Sequence, residues 1–149
     1  MQTVNQEFLP WLKQAIPLTE HLGIKELQWR DKELIADLSL APLVNDKGTG
    51  FGGGIAGLAT LLGWCYVTLL LDERSQRCPV VVKESNNRFT APITSDFSMH
   101  CWCEEEKGQE SFLDRYAKKG RGSIQLLVEA RQQGQAAFHY QGTYVALGN

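Results

Sequence analysis

The chain has no excess of basic residues: 15 Lys and Arg stand against 17 Asp and Glu, for a net charge of −2. It therefore exerts no general pull on nucleic acid or an anionic membrane, and any polyanionic ligand must be met by a local patch. No secretory leader is read at the start, where Gln6, Glu7 and Pro10 stand in place of a basic stretch followed by an apolar one. Paired metal ligands are also missing. Cys101 and Cys103 with His100 form the one grouping, no second chelating pair exists, and His21 and His139 have no ligand-like spacing. Together with Cys65 and Cys78, these cysteines read as reduced thiols of a cytoplasmic protein, and neither a metal nor another cofactor is expected. Ser111 and Ser123 have no His and Asp arranged to activate them, so covalent serine catalysis is not expected. No internal repeat or low-complexity segment appears, and 149 residues fit a single domain over 1–149.

What the chain does have is a run from Phe51 to Leu71 without one charged side chain, preceded by the glycine-rich segment Asn45 to Gly54, NDKGTGFGGG. A loop of glycines opening into a wholly apolar helix leaves a first turn of backbone N–H groups with almost no side-chain cover. Those free amides and the positive end of the helix dipole attract a phosphate, a carboxylate or a polarised carbonyl oxygen. The run is long enough to cross a bilayer, for which about 20 apolar residues suffice. Its first half is glycine and alanine, no aromatic and basic girdle brackets it, and the rest of the chain alternates like a half-wet sheet. A helix buried in protein on all sides is expected, with no membrane partner.

Around it, Val4, Phe8, Trp11, Leu12 and Ala15 share a helical face that Pro17 closes. Leu27 and Trp29, then Leu34, Ala36, Leu38 and Leu40, alternate on either side of Asp31-Lys32 as a hairpin. Val80-Val81-Val82 begins a third strand that continues through polar residues to Phe89 and Pro92, and Phe97, Met99, Cys101 and Cys103 alternate as a fourth. Gln109 to Lys119 reads as a short helix. Ile124–Ala130 and Ala136–Val145 read as two last strands joined at Gln132-Gln133-Gly134. About six antiparallel strands and one helix too apolar for a surface imply an α+β fold in which the sheet curls around the helix.

Three chemistries fit the glycine loop. Gly48, Gly50 and Gly53 satisfy G-x-G-x-x-G with Asp72 about 20 residues on, as a dinucleotide site requires. Pro42 to Lys47 intervene where the strand should lead directly into the loop, however, and no βαβ pattern follows. Asn45-x-x-Gly48-x-Gly50 approaches the pyrophosphate loop of an acetyl-CoA-dependent N-acyltransferase, with Asn45 in place of the Gln or Arg that loop needs. A Walker A loop is excluded, because no Lys-Ser or Lys-Thr follows the glycines.

The third likeness covers most of the chain. A hairpin, then Asn45-x-x-Gly48-Thr49-x-Phe51-Gly52-Gly53, a helix reaching Gly63-Trp64, a strand ending Arg88-Phe89-x-Ala91-Pro92, and further antiparallel strands resemble the hotdog-fold thioesterase superfamily. Within it the chain is most similar to the thioesterase domain at the C-terminus of YiiD-type acetyltransferases. The resemblance implies a sheet rolled around the helix, a homodimer or dimer of dimers, and hydrolysis of acyl-CoA or acyl-carrier-protein thioesters where subunits meet.

Thioester hydrolysis develops negative charge on the carbonyl oxygen, and Gly53 N–H at the helix start is the oxyanion candidate. Gly52 and Gly54 leave room for the substrate, beside Phe51. Asn45 is placed to hold a carbonyl or a water, and Thr49 to orient that water or cap the helix. The helix carries no acid before Asp72, unlike relatives with a carboxylate there, and Glu84, eight residues before Pro92, is the candidate general base. Lys118, Lys119 and Arg121 are candidates to grip the phosphates of coenzyme A. Two other readings remain open: a non-catalytic acyl-CoA-binding module and the N-acyltransferase.

Overall fold

The fold is seen in a computed structural model, which describes residues 2–148. In chain order its elements are β1 (Gln2–Thr3), α1 (Phe8–Ala15), β2 (Ile24–Arg30), β3 (Glu33–Leu38), α2 (Gly52–Asp72), β4 (Val80–Phe89), β5 (Phe97–Cys103), α3 (Gly108–Lys119), β6 (Arg121–Gln132) and β7 (Gln135–Leu147). One antiparallel sheet runs in the order β1-β2-β3-β5-β6-β7-β4. The six expected strands are all present, and the two-residue β1 adds a seventh against Trp29 and Gln28.

Alternation along the strands sends one set of side chains to α2 and the other outward. The helix side holds Leu34, Ala36, Leu38, Met99, Cys101, Leu126, Val128, Phe138, Tyr140 and Tyr144, all buried. Helix α2 lies along this layer, and thirteen of its residues are buried, from Ile55 to Leu71. Each such leucine withdrawn from water contributes roughly 1.5–3 kcal/mol before entropy is counted. This is the α+β hotdog arrangement of a long central helix against a curled antiparallel sheet.

Two contacts set how α2 sits. A Cβ on Gly63 would overlap the ring and hydroxyl of Tyr144, so only glycine allows that strand to approach this closely. Tyr144 Oη donates to the Thr60 carbonyl at 2.7 Å and shares a 2.8 Å hydrogen bond with the Tyr140 hydroxyl. The neighbouring Trp64 donates from Nε1 to the Val80 carbonyl at 2.9 Å and stacks on Trp11, which lies under the Arg77 guanidinium. The C-terminal half of α2 is thereby tied to the start of β4 and to α1, and its N-terminal end emerges beside Phe89 at the other end of β4.

Candidate active site

The loop before α2 is held by Asn45. Its Oδ1 accepts from the backbone N–H groups of Lys47 at 2.9 Å and Thr49 at 3.1 Å, and its Nδ2 lies 2.9 Å from Thr49 Oγ1. Asn45 N–H donates to the Thr49 carbonyl, and Gly48, at φ +78°, turns the chain between them. Asn and Gly serve this turn because the amide mimics a backbone acceptor and glycine tolerates positive φ. Thr49 is therefore bonded to Asn45 rather than to the helix, whose N-cap, Phe51, offers no side-chain hydrogen bond. Gly50 N–H donates to the Ile93 carbonyl and Phe51 N–H to the Leu43 carbonyl, so both flanks of the loop are pinned to the core.

Immediately beyond, the first three amides of α2 are open. Ile55 N–H is the first to reach back into the helix, at 3.0 Å from the Phe51 carbonyl. Among the described residues, no acceptor meets the N–H groups of Gly52, Gly53 or Gly54. Gly53 is exposed, and Gly52 and Gly54 are half-buried. Three donors converge at the positive end of a 21-residue helix, with no side chain of their own in the way. Beside them is a largely apolar cavity of about 360 Å³ lined by Gly50, Gly52, Ile55, Phe89, Pro92, Ile93 and Phe138 among others. Phe89, 54% exposed, belongs to that lining, and the ring of Phe51, 56% exposed, stands beside Gly53.

Strand β4 is an edge strand, and of its residues only Val80 is buried. Simple alternation from Val80 would turn Glu84 toward α2. A bulge between Val82 and Glu84 shifts the register, so that Glu84 pairs with Thr143, Ser85 with Gly142 and Asn87 with Tyr140. The extra residue reverses the side each later one faces. Glu84 consequently lies on the outer face of the sheet, away from Gly53 in the same chain. Ser85, Asn87 and Phe89 take the helix side, across from the half-buried Ala56, Gly57 and Thr60 of α2. A bulge leaves no local mark in the polar run Lys83 to Arg88, so sequence periodicity does not identify Ser85 and Asn87.

Lys118, Lys119 and Arg121 are exposed at the junction of α3 and β6. Lys118 pairs with Asp114 at 3.1 Å. Arg121 lies opposite Leu147, which bonds to Pro79 just before β4, so these cations belong to the Val80 end of that strand. Ten residues of β4 separate that end from Gly53, about 30 Å. Within one chain the fold brings together Asn45, Thr49, Phe51, Gly52, Gly53 and Gly54, and leaves Glu84 and the three cations apart from them.

Burial pushes the Cys65 and Cys101 thiols far above the ordinary range, which keeps them protonated and unreactive. Cys101 faces the core while His100, one residue away on the strand, faces outward. Among the described residues no group of three potential metal ligands gathers.

Comparison with known proteins places this geometry. A family model described as "Putative thioesterase (yiiD_Cterm)" matches residues 5–148. A protein of unknown function from Chlorobaculum tepidum is 25% identical, with a TM-score of 0.85 over 97% of this chain and 94% of its own. A putative thioesterase from Shewanella oneidensis is 26% identical, with a TM-score of 0.79 over 96% of this chain and 99% of its own. A thioesterase from Pseudomonas aeruginosa shares the fold at a TM-score of 0.75 and 18% identity, over 99% of this chain and 97% of its own.

Proposed function

Because the chain belongs to the thioesterase family whose model spans residues 5–148, we propose that it hydrolyses an acyl-CoA or acyl-carrier-protein thioester at the N-terminus of α2. The open amides of Gly52, Gly53 and Gly54 carry this reading. A thioester carbonyl seated there gains hydrogen bonds that strengthen as the tetrahedral intermediate places charge on oxygen, and donors fixed in a helix need no reorganisation to do so. The acyl chain enters the apolar cavity between Phe89, Ile93 and Phe138. Asn45 keeps the loop in the turn that leaves the amides exposed, and its remaining amide hydrogen is free to hold the attacking water.

A second copy brings the three cations back into this reading. The free edge of β4 carries exposed Val81, Val82 and Phe89 beside unpaired backbone groups, a template for antiparallel pairing with itself. Such pairing sets the Val80 end of one copy against the Phe89 end of the other. Arg121, Lys118 and Lys119 of the second copy then lie about 14 Å from the first copy's β4, three strand spacings away, within reach of the phosphates of a bound coenzyme A. Pairing does not turn Glu84 toward the helix, so the electrostatic contribution of the amides is the larger one in this reading. Glu84 serves as base only if β4 rearranges around a bound thioester.

A panel of acyl-CoA thioesters with a thiol-reactive dye tests the reading. Turnover that falls in Asn45→Ala, with a KM that rises with salt in the wild type but not in Arg121→Ala, supports it. Binding without turnover supports a non-catalytic acyl-CoA module instead, and acetyl transfer to an added amine supports the N-acyltransferase. Glu84→Gln reports separately whether that carboxylate reaches the water.

A further inference from the structure

The outer face of the sheet, opposite α2, carries a second set of reactive side chains. Strand β5 presents Ser98 and His100 there, two residues apart, and β3 presents Glu33 on the same face. Ser98 Oγ lies 2.9 Å from His100 Nε2, and His100 Nδ1 lies 2.5 Å from Glu33 Oε1. A neutral imidazole protonated on Nδ1 donates to the Glu33 carboxylate and leaves Nε2 to accept the Ser98 hydroxyl proton, while the other tautomer would set a lone pair against the carboxylate. That is the relation of nucleophile, base and orienting acid that activates a serine. Glu33 and His100 are 67 residues apart in sequence, so no spacing rule connects them.

The surroundings suit a neutral base. His100 is buried, and desolvation lowers its pKa against the opposing pull of the Glu33 hydrogen bond. Arg131 stands across the ladder from Ser98, anchored through Nε to Glu129 at 2.7 Å, with a guanidinium nitrogen 3.4 Å from His100 Nδ1. Asp37 and Arg30 face the same network from β3 and β2, and His139 lies 3.6 Å from Glu129 on β7. Ser98 itself is half-buried, open to a small reagent.

We propose that Ser98, His100 and Glu33 form a second site, at which Ser98 is acylated by an activated ester or thioester. Ser98 Oγ attacks the carbonyl carbon as its proton passes to His100 Nε2. The bond to the leaving alcohol or thiol breaks, that group takes the proton from His100, and an acyl-serine remains. Water deprotonated by His100 then releases the acid. Glu33 is the positioning residue. The amides of β5 are engaged in the ladders to β3 and β6, so no pair of free N–H groups on that strand stabilises the oxyanion, and acylation and deacylation are both slow.

The full-length chain treated with a fluorophosphonate reads the site directly, because the P–F bond breaks, an Oγ–P bond forms and fluoride leaves. Peptide mass mapping is expected to find one phosphonyl group per chain, on Ser98, at a rate that rises with pH through a value below the ordinary imidazole range. His100→Gln slows labelling about 100-fold or more. Glu33→Gln slows it and shifts the pH profile, and Glu33→Asp restores part of both. No adduct on Ser98 of the wild type, or an adduct that forms equally fast in His100→Gln, overturns the proposal.

Discussion

The two halves of α2 are alike in lacking charge and opposite in fate. From Leu61 to Leu71 every residue but Trp64 is buried, whereas between Gly52 and Thr60 only Ile55, Leu58 and Ala59 are. Neither half carries a charge before Asp72. What separates them is volume: the second half is filled by leucine, tyrosine and valine that the sheet must cover, and the first is glycine and alanine that leave amides and a shallow groove uncovered. An uncharged helix can thus be a core element at one end and an anion-stabilising surface at the other. Hydrophobicity describes the first role, and the absence of side chains describes the second.

Substitutions along the helix sharpen that contrast, and the largest effect on stability is expected in the packed half. Leu70→Ala removes a side chain that is 3% exposed and leaves a cavity, at a cost of about 2–5 kcal/mol in denaturant unfolding. Gly63→Ala adds a methyl group where the Tyr144 ring already stands, a cost of about 1–3 kcal/mol read as a lower melting temperature. Gly57→Ala is the smallest and has the opposite sign. An added Cβ there meets nothing within 4 Å, so the variant gains about 0.5–1 kcal/mol from helix propensity alone. A Gly57→Ala that melts lower than Gly63→Ala would break the distinction between a closed and an open half.

Much of this was legible in the sequence. The buried helix, the hairpin at Asp31-Lys32 and the turn at Gln132-Gln133-Gly134 follow from periodicity and turn residues and stand where expected, and the strand from Val80 ends at Phe89, short of the Pro92 that its pattern reached. The glycine loop and Gly63-Trp64 were legible as a resemblance, and the structure supplies their physical reasons: an Asn45-centred turn and a tyrosine that tolerates no Cβ. Other features were hidden because they depend on register. One extra residue after Val82 decides that Glu84 faces outward and Asn87 inward, and strand order decides that Glu33 meets His100. Nothing within a few residues of either position encodes those pairings.

The role of the open amides is tested most directly by comparing Gly53→Pro with Gly53→Ala. Both variants add a Cβ that displaces the exposed Phe51 ring, but only proline removes the N–H. Proline is tolerated in a helix's first turn, and the preceding Gly52 has no Cβ for its ring to strike. If those amides stabilise the oxyanion, kcat for thioester hydrolysis falls about 10²–10³-fold in Gly53→Pro relative to Gly53→Ala, with equal melting temperatures. Equal kcat in the two folded variants would contradict that role.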